Sequence, residues 1–221
     1  MKQETSGPSD HTSAARKAKL ALILVMAVFV AINIFFGFYL LHQKPVTSSV
    51  SSGNFTKSVP DFNLTNQAGQ PFSLEDLKGK HWVAAFFFTR CPGPCPMISA
   101  NLAQLHQDFT DDANLHFVSF SIDPSYDTPE VLSRYARSFY ADLSRWTFLT
   151  GDQEAIHDLS MNGFYSAVME TDPETAQEAG PFIHGTRIYI VDTDSNIVAA
   201  YDGTTAEGIQ QTKSKLKELI R

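Results

Sequence analysis

Apolar residues change their spacing twice along this chain, and the changes divide it. From Leu20 to Leu41 the run LALILVMAVFVAINIFFGFYLL is apolar on every face, 22 residues without a charge and with Asn33 as the one strongly polar position. At 1.5 Å per residue this predicts about 33 Å of helix, enough to cross a hydrocarbon core of about 30 Å. The expectation is an uncleaved transmembrane anchor. A cleaved signal peptide is the competing reading, but its apolar region is shorter and no small-residue cleavage site follows Leu41. Residues 42–58 then turn polar, and PVTSSVSSGNFTKS suits a flexible linker. Residues 59–221 carry short strand and helix periods in alternation.

Within that body, Val59–Leu64 alternates as a strand, Asn66–Gln70 is a turn, and Pro71 opens a second strand, which predicts an N-terminal hairpin. Ser73 is placed to cap a short helix at Leu74–Leu77, ended by Gly79. Trp82–Phe88 is a continuous apolar strand. The helix after it is expected from about Met97 to Phe109, with Ile98, Leu102, Leu105 and Phe109 on one face. His116–Ile122 is the next strand, closed by Asp123-Pro124. Thr128-Pro129-Glu130 opens a helix through about Phe139. Trp146–Leu149 reads as a strand, Asp152–Asn162 as a helix, Phe164–Val168 as a strand, and Glu170–Pro181 as an acidic exposed loop. A terminal hairpin (Arg187–Asp192 with Ile197–Tyr201) and a basic helix over 206–221 complete the chain. The alternation predicts an α/β sheet with helices on both faces, and sites in such folds lie at the carboxyl ends of strands. Cys91, Asp123 and His184 all stand at strand ends or openings.

Charge adds orientation. The chain carries a formal net charge of -7, which argues against nucleic acid as a partner. Arg16, Lys17 and Lys19 flank the apolar run on its N-terminal side, against His42 and Lys44 on the other. The positive-inside rule then places residues 1–19 in the cytoplasm and the body outside, in the periplasm if the membrane is a bacterial inner membrane. That compartment is oxidising, so an exposed cysteine pair there is a disulfide or a metal site.

The chain's only two cysteines, Cys91 and Cys95, sit in FFFTRCPGPCPM, where an apolar strand hands over to a helix. A helix N-terminus favours negative charge, so at least one thiol is expected to ionise below the free value of about 8.5. The Cys-x-x-x-Cys spacing leaves open whether the pair closes a disulfide or grips an ion. With His184 the set becomes two thiolates and an imidazole, which is soft enough for copper or zinc. Copper(I) accepts three ligands, whereas structural zinc usually takes a fourth, and none is evident near the motif. Met97 is either a soft contact or a residue packed on its helix. Asp123 and Asp127 read equally as supports for the metal ligands, as partner-binding groups, or as turn and helix-start chemistry. His11, His42, His81, His106, His116 and His157 read as surface or packed residues.

Four stretches, VPDFNLTNQAGQPFSLEDLKGK, FFFTRCPGPCP, SFSIDPSYDTPEVL and the histidine of FIHGTRIYIVD, together resemble the Sco/SenC family, over about Val59 to Tyr201. The resemblance implies a thioredoxin-like fold, a central mixed sheet flanked by helices, after a single transmembrane helix. By position it implies copper ligation by Cys91, Cys95 and His184, with the family's acidic motif on Asp123 and Asp127. The implied role is that of a membrane-anchored periplasmic copper chaperone, a metallochaperone rather than an enzyme. It would bind one copper ion, dock on cytochrome c oxidase subunit II, and assist assembly of the Cu(A) centre, supplied by or acting beside another periplasmic copper chaperone or thiol reductase. The alternative is a thiol–disulfide reductase that keeps the Cu(A)-site cysteines reduced; it needs the cysteines and tolerates loss of His184. Such enzymes usually carry a proline where this chain has Gly185-Thr186. A peroxidase, with Arg187 as peroxide partner, would want a threonine where Phe88 stands. The chain departs from the family pattern in the Pro-Gly-Pro between the cysteines and in the Gly-Thr-Arg after His184.

Overall fold

In a computed structural model, residues 17, 22–24, 26–36, 57–172, 174, 176 and 180–220 are described. The chain divides into two units, Met1–Ser51 and Ser52–Arg221. In the first, residues 22–24 and 26–36 are helical with exposed apolar side chains. Among the described residues no helix is long and apolar enough to cross a membrane. Both ends of the expected anchor, Val25, the tail before it apart from Lys17, and the linker up to residue 56 lie outside the described residues.

The second unit is built on an eight-stranded mixed sheet. Its strands are β1 (Lys57–Ser58), β2 (Asn63–Asn66), β3 (Pro71–Ser73), β4 (His81–Phe87), β5 (Leu115–Ser121), β6 (Trp146–Thr150), β9 (Arg187–Val191) and β10 (Asn196–Asp202). The order across the sheet is β1-β10-β9-β4-β5-β6-β2-β3, with β4, β5 and β6 parallel and the remaining pairs antiparallel. The helices are α1 (Pro94–Asp108), α2 (Pro129–Ser138), α3 (Gln153–Asp158) and α4 (Ala206–Leu219). β4 and β5 lie at the centre with both faces covered, which is why β4 reads as an unbroken apolar run from Trp82 and why every residue of β5, His116, Ser119 and Ser121 included, is buried.

Alternate residues of β4 serve different layers. Phe87 meets Tyr135 of α2 and Phe148 of β6, while Trp82 and Phe86 meet Phe164 beyond α3. On the α1 side, His106 packs on Phe117 and Trp146. The expected arrangement of helices on both faces is present.

The N-terminal hairpin (β2–β3) and the short capped helix at Leu74–Leu77 form as expected, the latter a 3-10 turn with a capping box between Ser73 and Asp76. Four expectations are corrected. Val59–Leu64 is not one strand: Pro60 offers no N–H for a ladder, and pairing breaks into β1 and β2 on either side. Helix α1 starts at Pro94 rather than near Met97, because prolines fit a first turn whose N–H groups need no partner. The Asp152–Asn162 helix ends as α at Asp158 and continues as a π turn, Leu159–Gly163. Residues 164–167 are not strand; β7 (Val168–Glu170) begins later and pairs with β8 (Phe182–His184) as a separate two-stranded sheet.

Candidate metal centre

The cysteines are placed by the end of β4. Beyond Phe87 the chain turns, with the Cys91 N–H donating to the Phe88 carbonyl at 3.3 Å, and α1 begins with Gly93 as its cap. Cys95 is therefore the second residue of the helix, fully buried beneath the turn, while Cys91 is just accessible. Both thiols are free. The early start of α1 matters because it fixes Cys95 to a rigid element instead of a loop.

His184 arrives from another direction, at the end of β8. Its Nε2 lies 2.9 Å from Cys95 Sγ, and the donor atoms of Cys91, Cys95 and His184 all fall within 4.8 Å of one another. On the far side of the ring, Nδ1–H donates to the Gly185 carbonyl at 2.8 Å. That bond fixes the ring and leaves Nε2 as the nitrogen facing the thiols, the arrangement typical of a metal-ligating histidine. The Phe88 ring packs edge-on to the imidazole, with centroids 5.6 Å apart. Among the described residues this is the one cluster of three such donors. Two thiolates and one imidazole without a carboxylate suit Cu(I) better than a four-coordinate structural zinc site.

The thiols are unequal. Hydrogen bonding from Cys95 pulls Cys91 down to about 4 against the cost of burial, helped by His184 and by backbone N–H groups of the turn. Cys95 is pushed up, first by its hydrogen bond to Cys91 and then by burial. Cys91 is thus the more acidic thiol of the pair, and Cys95 is its proton-bearing partner.

Neither Asp123 nor Asp127 joins the donor cluster. Both are buried and both hold the loop that carries Cys91. Asp127 accepts from the Thr89 N–H at 3.0 Å and from the hydroxyls of Thr89 and Ser121. Burial pushes its pKa up, partly offset by these donors. Asp123 accepts from Arg90 Nε at 2.6 Å and from Ser125 at 3.0 Å. The two residues before Cys91 are thereby clamped to the end of β5 and the turn after it.

Three further contributors were not visible as such in the sequence. Thr89 and Arg90 take part because only the fold brings Asp127 and Asp123 beside them. His157, expected to be a surface or packed residue, bonds through Nε2 to the Ile122 carbonyl at 2.9 Å and packs edge-on against Phe182. It links the end of β5 to the strand that carries His184. Met97 does not pack into the core, being about half exposed in the first turn of α1.

The sequence that builds this constellation matches a known family model, SCO1/SenC, across residues 51–221. The chain belongs to the SCO1/SenC family. A curated SCO1/SenC relative, the SCO1 protein homolog of Bacillus subtilis, is 32% identical over 147 residues, covering 66% of this chain and 74% of the relative. The solved structure of BsSco, described as a member of the Sco family of cytochrome c oxidase assembly proteins with a disulfide switch, is 30% identical at a TM-score of 0.65. It is matched over 76% of this chain and 95% of that one. Arabidopsis thaliana ScoI, solved with copper bound, aligns at a TM-score of 0.64 over 75% of this chain and 99% of its own; at 23% identity it speaks for the shared fold.

Proposed function

We propose that this chain is a membrane-anchored copper chaperone that binds one copper ion through Cys91, Cys95 and His184 and assists assembly of the Cu(A) centre of cytochrome c oxidase. The observation that carries the reading is the convergence of three soft donors within 4.8 Å, with no carboxylate among them. Copper is cargo here. Cys91 keeps a little exposure where Cys95 has none, which makes it the outer ligand of the pair and the one placed to exchange first with a receiving site. The proposed receiver is the copper domain of oxidase subunit II, supplied by a periplasmic copper donor. Membership of the SCO1/SenC family, and the assignment of BsSco to a family of cytochrome c oxidase assembly proteins, support this reading.

The proposed organisation is a cytoplasmic tail at 1–19, an anchor at 20–41, a linker at 42–58 and a periplasmic thioredoxin-like domain at 59–221, in a bacterial inner membrane. The uncharged run Leu20–Leu41 and the basic residues before it support this.

Copper titration of the reduced full-length protein tests the reading. One equivalent is expected to bind tightly, and His184→Ala should weaken binding at least tenfold with the cysteines intact. Equal affinity in that variant would remove His184 from the site and the chaperone reading with it.

A second reading has its own support in the free, unequal thiols. As a reductase, the Cys91 thiolate attacks a target disulfide, one target thiol leaves, and Cys95 then displaces the second. Two electrons pass to the target, and the pair ends as a Cys91–Cys95 disulfide. This activity would survive loss of His184, which separates the two roles.

A further inference from the structure

Arg90 precedes Cys91 and is held on two sides. Its Nε donates to the buried Asp123 carboxylate at 2.6 Å, and its guanidinium lies over the Tyr126 ring, 4.8 Å from the centroid. Tyr126 is about half exposed and the Arg90 side chain is 45% exposed. The Nη1 and Nη2 edge has no hydrogen bond among the described residues, so a planar two-donor fork is left unpartnered on a half-exposed side chain one residue from Cys91. Such a fork matches a carboxylate in bidentate geometry, and because Asp123 and Tyr126 have already fixed it, little conformational entropy remains to be lost on binding.

The surroundings are those of a protein interface. Arg90 beside Cys91, Tyr126 beneath its guanidinium and Met97 in the first turn of α1 are all exposed, and Arg, Tyr and Met are the residue types enriched where proteins dock. The chain as a whole is acidic, with a net charge of -7, so an acidic partner is repelled at long range and finds paired donors at this point. That difference sets orientation as well as affinity.

We propose that the Arg90–Tyr126 pair is a docking point for an acidic side chain on the protein that exchanges copper or electrons with Cys91. This deepens the copper-handling reading and rests on it for the partner, but not for the recognition chemistry. Arg90 acts as a positioning residue: it aligns the incoming protein and does not touch the ion.

The test has two arms on the reduced full-length protein in detergent. In the first, Cys91 is alkylated with iodoacetate and with iodoacetamide, and the product is read by mass spectrometry at that residue. The ratio of the two rates cancels the thiol's own reactivity and reports recognition of a carboxylate. It should fall at least threefold in Arg90→Gln, and in wild type it should fall as salt is raised from about 20 mM to 0.5 M. A ratio indifferent to both would overturn the proposal. Arg90→Lys keeps a cation for Asp123 in case the glutamine variant fails to fold; its ammonium pairs inward and the ratio should again fall.

In the second arm, the soluble copper domain of oxidase subunit II is the probe, and its association rate at low salt should drop about tenfold in Arg90→Gln. An unchanged rate alongside a changed alkylation ratio would mean that the fork takes small carboxylates only, and the docking proposal would be wrong. Copper affinity, measured separately with His184→Ala, reports the copper-handling reading by itself, so the two failures are distinguishable.

Discussion

At the scale of single residues, the site works by making two identical side chains different. Cys91 is shifted to about 4, chiefly by a hydrogen bond from Cys95, so it is a thiolate across the physiological range. Its alkylation rate by a neutral reagent is therefore expected to stay flat from pH 8 to pH 6 and to fall by half only near pH 4. Cys95→Ala removes the main donor and should move that midpoint upward; a wild-type midpoint near 8.5 would contradict the arrangement. Asp127 acts through the backbone. It gathers the Thr89 N–H and two hydroxyls in a buried position, so Asp127→Asn sets an amide N–H₂ among groups that are themselves donors. The expected loss is about 1–3 kcal/mol of stability, read as a lowered denaturation midpoint, together with weaker copper binding because the Cys91 loop loosens.

Between elements, the decisive contacts join parts far apart in sequence. The β7–β8 hairpin brings His184 to the start of α1, and the Phe88 ring fills the space between them, touching both Phe182 and His184. Gly180 sits at the base of this hairpin with φ +87, and a Cβ there would lie 2.9 Å from the Phe88 ring and 3.2 Å from Pro92. Gly180→Ala is thus strained in its backbone and displaces the ring that orients the histidine. Copper affinity should fall in this variant with all three ligands present, and circular dichroism should show the sheet intact. Unchanged affinity would mean that Phe88 does not position His184.

For the molecule as a whole, the division at residues 51 and 52 predicts that a fragment beginning at Ser52 folds alone. It should melt cooperatively and bind copper with the full-length stoichiometry; it should also appear in the soluble fraction of cells in which the full chain sediments with membranes. Loss of cooperative melting would show that the first unit is needed for folding. The sequence by itself determined the elements whose signals are local. The apolar run of β4, the Ser73 and Thr128 caps and the β2–β3 hairpin follow from short-range periodicity and turn chemistry, and the resemblance of four stretches pointed to the family. Nearest-neighbour patterns could not show that Asp123 and Asp127 serve the Cys91 loop, that His184 meets Cys95, or that His157 braces the His184 strand. Those are pairings between residues 33 to 38 positions apart in the case of the acids, and 89 for Cys95 and His184. A side chain's partner at that separation is set by which strands lie side by side, and sheet order comes from packing the whole core, so the tertiary structure alone decided it.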